Sequence, residues 1–140
     1  MTQRVLVALD GSEQARKGLE YATENYPEAT LVCFHAIDPF DRDPEDATAQ
    51  PLTDAWLEAE RDRTDELFDS ALESIDHAGG KERETTVGSP AESIVAYAER
   101  EDVDLVVVGS YGLGEATWLR LGSVAEVVVR RSPVPVLVVR

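Results

Sequence analysis

Leu105-Val106-Val107-Val108 is a short apolar run that stops at Gly109, and Gly112, Gly122 and Ser123 follow it in the spacing G-x2-G-x9-G-S. Glycine at Gly109 and Gly112 lets a ligand approach backbone N–H groups, because no Cβ stands in the way. A helix opening at Ser123 would present unpaired N–H groups and the positive end of its dipole, with the Ser123 hydroxyl as a further donor. Strand, glycine loop and helix start together suit the holding of a phosphate. The pattern is neither of the commoner phosphate loops: G-x-x-x-x-G-K-[ST] does not occur, and Gly112, Gly114 and Thr117 break a G-x-G-x-x-G run at its last glycine. Plain turn chemistry is the alternative reading of three glycines in such a connection.

Asp10 is the second candidate. It ends an apolar run and could contact a nucleoside, or a divalent cation beside the phosphates; the competing reading is an acidic residue making a turn. His35 sits inside an apolar stretch and reads as a satisfied core histidine. His77 reads as a histidine at a helix C-terminus making a dipole contact. Cys33 reads as a small core hydrophobe. Ser12, His35 and Asp10 could be drawn as a triad, but no G-x-S-x-G elbow is present to expose a nucleophile, and that reading is rejected.

The elements that must position these residues follow from periodicity. Arg4 to Leu9 is a continuous apolar run of strand length, covered on both faces. Ser12 is a plausible N-cap, and Ala15, Leu19, Ala22 and Tyr26 form one helical stripe ending before Pro27. Thr30 to Ile37 is a second strand. Asp38 to Gln50, with two prolines and five acidic residues, reads as a mobile loop. Leu52, Trp56, Ala59, Arg63, Leu67, Ala71 and Ile75 predict a long acidic-faced helix closed by Gly79-Gly80. Lys81 to Val87 is a weakly apolar strand suited to a sheet edge. Ser89-Pro90-Ala91-Glu92 predicts a capping box with proline at the first helical position, and Ala91, Ile94, Val95 and Ala98 the buried side of that helix. A last helix from about Ser123 to Arg131 precedes the strand Val136 to Val139. Five strands alternating with four helices imply a mostly parallel sheet with right-handed crossovers and helices on both faces. With 140 residues the chain is expected to form one domain, residues 1–140.

The spacing G-x2-G-x9-G-S resembles the nucleotide-binding signature of the universal stress protein family. VLVALDGS is similar to that family's first strand and turn, GSPAESIVAYAE to the start of its third helix, and SPVPVLVVR to its closing strand. The resemblance covers nearly the whole chain. It implies an open five-stranded α/β sheet of order 3-2-1-4-5, Rossmann-like and akin to the adenine nucleotide alpha hydrolases. In that order Asp10 and Gly109 end neighbouring strands at the switch point, where open α/β sheets bind ligands. It further implies a cytoplasmic regulatory module that binds ATP or AMP, with Mg²⁺ as a candidate companion. The binding residues carried over are Ala8, Asp10 and Ala36 at the nucleoside, with Val108, Gly109, Gly112, Gly122, Ser123 and Val124 around the glycine loop. Leu113, Gly114 and Glu115 replace the small and basic residues many members carry there; Glu115 must point outward or share a cation. Arg120 is the only cation between Gly109 and Ser123. No metal ligands are assigned. A slow ATP hydrolase or phosphotransferase, and a dimeric stress scaffold without a nucleotide, are the alternatives. The first lacks a P-loop lysine and an obvious base aimed at a γ-phosphate. The apolar run Val136 to Val139 would form an exposed edge in the family order, which implies a homodimer through that strand.

Composition bounds the partners. Twenty-eight acidic residues against 13 basic ones give a net charge of −15, which opposes binding to nucleic acid or anionic membranes. Lys17 and Lys81 are the only lysines. An acid-rich, lysine-poor surface points to a salt-loving source such as a halophilic archaeon, where high salt screens the self-repulsion. No apolar run reaches the length of a membrane span. Cys33 is the only cysteine, so no intrachain disulfide can form and a reducing cytoplasm fits.

Overall fold

The computed structural model describes residues 3–40, 53–110 and 121–140. Their elements run β1 (Arg4–Ala8), α1 (Glu13–Asn25), β2 (Thr30–Ile37), α2 (Asp54–Glu73), β3 (Lys81–Val87), α3 (Pro90–Arg100), β4 (Leu105–Gly109), α4 (Ser123–Arg131) and β5 (Val136–Val139). The strands form one sheet of order β3-β2-β1-β4-β5, and every pairing is parallel. This is the order that the family resemblance implies. The register puts Cys33, Val7, Val107 and Leu137 in one row across β2, β1, β4 and β5.

Continuous apolar runs in β1 and β4 are explained by cover on both faces. Val5, Val7, Leu31, Cys33 and Val107 pack against Leu19 and Ala22 of α1 and Phe68 of α2. Leu6, Val32, Phe34, Val106 and Val108 pack on the opposite side against Ile94 and Tyr97 of α3 and Ala125 and Val128 of α4. Alternation along a strand sends successive side chains to the two faces. β3 is an edge strand with four of its seven residues exposed, which accounts for its polar sequence. β5 is the other edge; all four of its side chains are half-buried. Val136 and Val138 lie toward α3 and α4, and Leu137 and Val139 toward α1.

Several local expectations need correction. Leu67, Ala71 and Ile75 of the expected α2 stripe pack on the core, but the fully buried residues of the helix are Thr64 and Phe68, and Ala59 and Arg63 are exposed. Thr64 can turn inward because its hydroxyl donates to the Glu60 carbonyl at 2.8 Å, and Arg63 stays outside, paired with Glu60 at 2.6 Å. The helix ends at Glu73 with Ser74 as C-cap, well before Gly79-Gly80. His77 is therefore not at a helix terminus. It is a buried linker between Thr23 Oγ1 and the Ala29 carbonyl, each at 2.7 Å. The carbonyl can only accept, so Nε2 carries the proton and, in the neutral ring, Nδ1 accepts from the threonine hydroxyl. Ser89 starts α3 without a side-chain cap bond, so the predicted capping box is not formed; Pro90 does occupy the start of the helix. Ser12 caps α1 as expected, its Oγ accepting from Ala15 N at 3.2 Å. Most of the segment expected to be a mobile loop falls on residues 41–52, outside the described residues.

Candidate functional site

At the carboxyl ends of β1, β2 and β4 the sheet opens into a crevice of about 730 Å³. It lies where crossovers from the strand pair β1 and β4 leave in opposite directions, so no connection covers the strand ends there. Eight of the nine residues expected at the site line it: Ala8, Asp10, Ala36, Val108, Gly109, Gly122, Ser123 and Val124. They come from three strands, the turn after β1 and the start of α4, and only the fold brings them together. The ninth, Gly112, lies outside the described residues, as do Arg120 and Glu115.

Asp10 sits in the turn after β1. Its Oδ1 accepts from Ser12 N at 2.8 Å, and Gly11 between them has φ of 85°, a conformation that favours glycine. One carboxylate oxygen thus makes the turn, as the turn reading expects, and the residue borders the crevice. Ser12 and Ala15 of the capped α1 start lie on the same wall.

Gly109 ends β4 against that helix start. A Cβ there would stand 2.9 Å from Gln14 Cβ and 3.1 Å from Ala15 N. Glycine is therefore required by the packing of α1 on β4. A valine here would therefore disturb the fold itself. On the other side of the crevice, α4 begins with Gly122 as N-cap, a residue with no side chain of its own to cap the helix. Gly122 N donates to the Ser110 carbonyl at 2.7 Å, which ties the helix start to the end of β4. The first turn of a helix directs its backbone N–H groups toward the space before it. Ser110 Oγ is buried and has no hydrogen-bond partner among the described residues.

Sequence reasoning missed several residues on the crevice wall: His35, Asp38 and Phe40 at the end of β2, Glu60 of α2, and Ser89-Pro90 at the start of α3. His35 adjoins Ala36 in the same strand end, and that adjacency was the available signal. Glu60 had none, because its place on the wall follows from how Phe68 and its α2 neighbours pack on the sheet. His35 is indeed satisfied, its Nδ1 2.7 Å from the Leu9 carbonyl, but it is half-buried and not a core residue. The ionisable groups among the described crevice residues are Asp10, Asp38, Glu60 and His35, with no lysine or arginine. No group of three or more possible metal ligands occurs among the described residues. Cys33 lies away from the crevice, fully buried, and burial pushes its thiol up to about 11, against smaller opposing effects of Arg83 and Lys81. No helix among the described residues is long and apolar enough to cross a membrane.

Comparison with known proteins gives this architecture its context. The model of the Universal stress protein family matches residues 1–140. A universal stress protein of Thermus aquaticus is 32% identical over 145 residues, covering 100% of both chains. Universal stress protein MJ0577 of Methanocaldococcus jannaschii is 30% identical over 155 residues, covering 100% of this chain and 96% of its own. The solved structure of MJ0577 superposes with a TM-score of 0.70 at 28% identity, covering 99% of this chain and 96% of that one. A universal stress protein solved in complex with cAMP superposes with a TM-score of 0.67 at 27% identity, covering 99% and 97%.

Proposed function

This chain belongs to the universal stress protein family, and on that premise we propose that its crevice binds an adenine nucleotide, ATP or AMP, as a cytoplasmic regulatory module. The observation that carries the proposal is the convergence of Gly109 and the start of α4 on one crevice at the switch point of the sheet. The phosphates lie against Ser123, Val124 and the glycine loop, where backbone N–H groups and the helix dipole favour anions. The nucleoside lies toward Ala8, Asp10 and Ala36. These two alanines leave room that larger side chains would fill. The relative solved with cAMP supports an adenine ligand in this family. Because the charged side chains of the described wall are all acidic, compensation for the phosphates comes from backbone donors and from a cation, with Mg²⁺ the leading candidate.

The module acts as a homodimer in this reading. Among the described residues β5 pairs only with β4, so its outer edge presents backbone groups that no described strand pairs. The same strand of a second copy, related by a two-fold axis, satisfies them. Nucleotide placement is tested by adding AMP to isotope-labelled protein and following amide resonances. Shifts concentrated at Gly109, Ser123, Val124 and Ala36 are expected. Shifts confined to other surfaces would overturn the placement.

A further inference from the structure

Ser110 is bonded on one side to the crevice wall and on the other to the edge of the sheet. Its N–H donates to the Val139 carbonyl at 2.8 Å, and its carbonyl accepts from Gly122 N at 2.7 Å. Gly122 lines the crevice as the residue before α4, and Gly109, next to Ser110, lines it at the end of β4. Val139 is the last residue of β5 and pairs in register with Gly109. Two backbone bonds of one residue thus join the start of α4 to the end of the edge strand. Ser110 is buried, with 4% of its surface exposed, so both bonds are shielded from water.

β5 is four residues long and, among the described residues, is paired on one side only. In a strand the N–H and C=O of one residue point to the same side, and those of its neighbours to the other. The carbonyls of Pro135 and Val139 point to β4, accepting from Val106 N at 3.0 Å and Ser110 N at 2.8 Å. The backbone groups of Val136 and Val138 therefore face the open edge, and they are the ones that a second copy of β5 pairs. Val138 is kept in line by Leu137 on one side and Val139 on the other. The bond from Ser110 to Val139 closes the carboxyl end of the β4–β5 ladder, and the end of a ladder is where a strand frays. Two arrangements follow. With the Ser110 bridge closed, Val138 is aligned for a partner strand, and Gly109 and Gly122 keep their spacing across the crevice. With the bridge frayed, both are displaced.

Resting on the nucleotide and β5-dimer readings above, we infer that nucleotide binding and dimerisation are coupled through Ser110, each strengthening the other because each favours the closed bridge. A ligand that touches both the Gly109 and the Gly122 side of the crevice binds best at their closed spacing. A partner strand pairs best with an aligned Val138. Both draw on one local equilibrium, so the coupling is reciprocal. A filled crevice stabilises the two-chain form, and nucleotide level is read out as assembly.

The test is sedimentation of the unmodified chain over a dilution series, with and without saturating AMP, at constant Mg²⁺ and salt. The dimer dissociation constant should fall roughly tenfold with both crevices filled, and AMP should bind each chain of the dimer about threefold tighter than the monomer, since two sites share the coupling. Where the dimer is too tight to dilute, exchange of subunits between isotope-labelled and unlabelled chains reads the same effect and should slow with AMP. Hydrogen exchange at the Ser110 amide locates the bridge. It should slow on adding AMP, and slow as rising protein concentration brings chains together. A dissociation constant or subunit-exchange rate that AMP leaves unchanged or raises overturns the coupling and leaves both readings standing. Coupling with no change at the Ser110 amide overturns the bridge. A chain that binds AMP but stays monomeric at every concentration overturns the dimer, and this inference with it. A chain that dimerises but binds no AMP overturns the nucleotide reading, and this inference with it.

Discussion

Gly109→Ala separates the two reasons for a glycine at the end of β4. The added Cβ would sit 2.9 Å from Gln14 Cβ and 3.1 Å from Ala15 N, where ordinary carbon contacts lie at about 3.5–4.0 Å. Neither neighbour is the far end of a flexible chain. Ala15 N donates to Ser12 Oγ, and α1 is held on the sheet by Ala15, Gly18, Leu19 and Ala22. The start of α1 must therefore shift by roughly half an ångström or more, a forced overpacking that costs about 1–3 kcal/mol. In a chain of this size about 1 kcal/mol moves Tm by roughly 3–4 °C, so a fall of roughly 3–12 °C is expected. Circular dichroism melts and urea titrations of both proteins, at equal concentration and salt, give the answer. The urea midpoint should fall with the slope unchanged. Nucleotide affinity should fall too, because Ser12 and Ala15 border the crevice and move with the helix. An unchanged Tm would refute the packing argument and leave the glycine with a ligand role alone.

Gly79→Ala should destabilise the chain further, since its Cβ would meet the Ala29 carbonyl at 2.3 Å and His77 Nε2 at 2.8 Å, breaking the buried histidine link; a melt no lower than that of Gly109→Ala would count against this. The buried Cys33 thiol, raised from 9.0 to about 11, contributes stability that is complete below the unfolded value and is lost as pH rises through about 11. Tm should therefore decline across that alkaline window, and less so in Cys33→Ala than in the unmodified chain. Replacing Val136 and Val138 together with lysine should give monomers or insoluble protein by light scattering, whereas an unmodified chain found monomeric at micromolar concentration in high salt would exclude the β5 dimer. AMP affinity measured by calorimetry should rise with Mg²⁺ or with salt, and steadily weaker binding as salt is added would remove the cation from the account.

The sequence made the sheet legible because its strands are buried on both faces and read as unbroken apolar runs in β1 and β4, with Gly109 and the Asp10-Gly11-Ser12 turn marking their ends. Those same ends border the crevice, so eight of the expected residues lie together on it. What stayed hidden depends on packing between distant segments. The face of α2 turns on Thr64 folding its hydroxyl back to the Glu60 carbonyl, a choice that periodicity cannot distinguish from an outward threonine. His77 looked terminal because Gly79-Gly80 suggested a late helix end, yet its partners are Thr23 and Ala29, about fifty residues earlier. The clash that makes Gly109 obligatory comes from Gln14 and Ala15, and no local pattern around Gly109 reports it.

The central claim is that this crevice holds an adenine nucleotide, and isothermal titration of the intact chain with AMP, in Mg²⁺ and high salt, tests it most directly. The account predicts saturable binding at one nucleotide per chain. It also predicts weaker binding by Ser123→Pro, which keeps a residue suited to the first helical position while removing one N–H and one hydroxyl donor at the start of α4. No saturable heat at millimolar AMP, or identical isotherms for the two proteins, would contradict it.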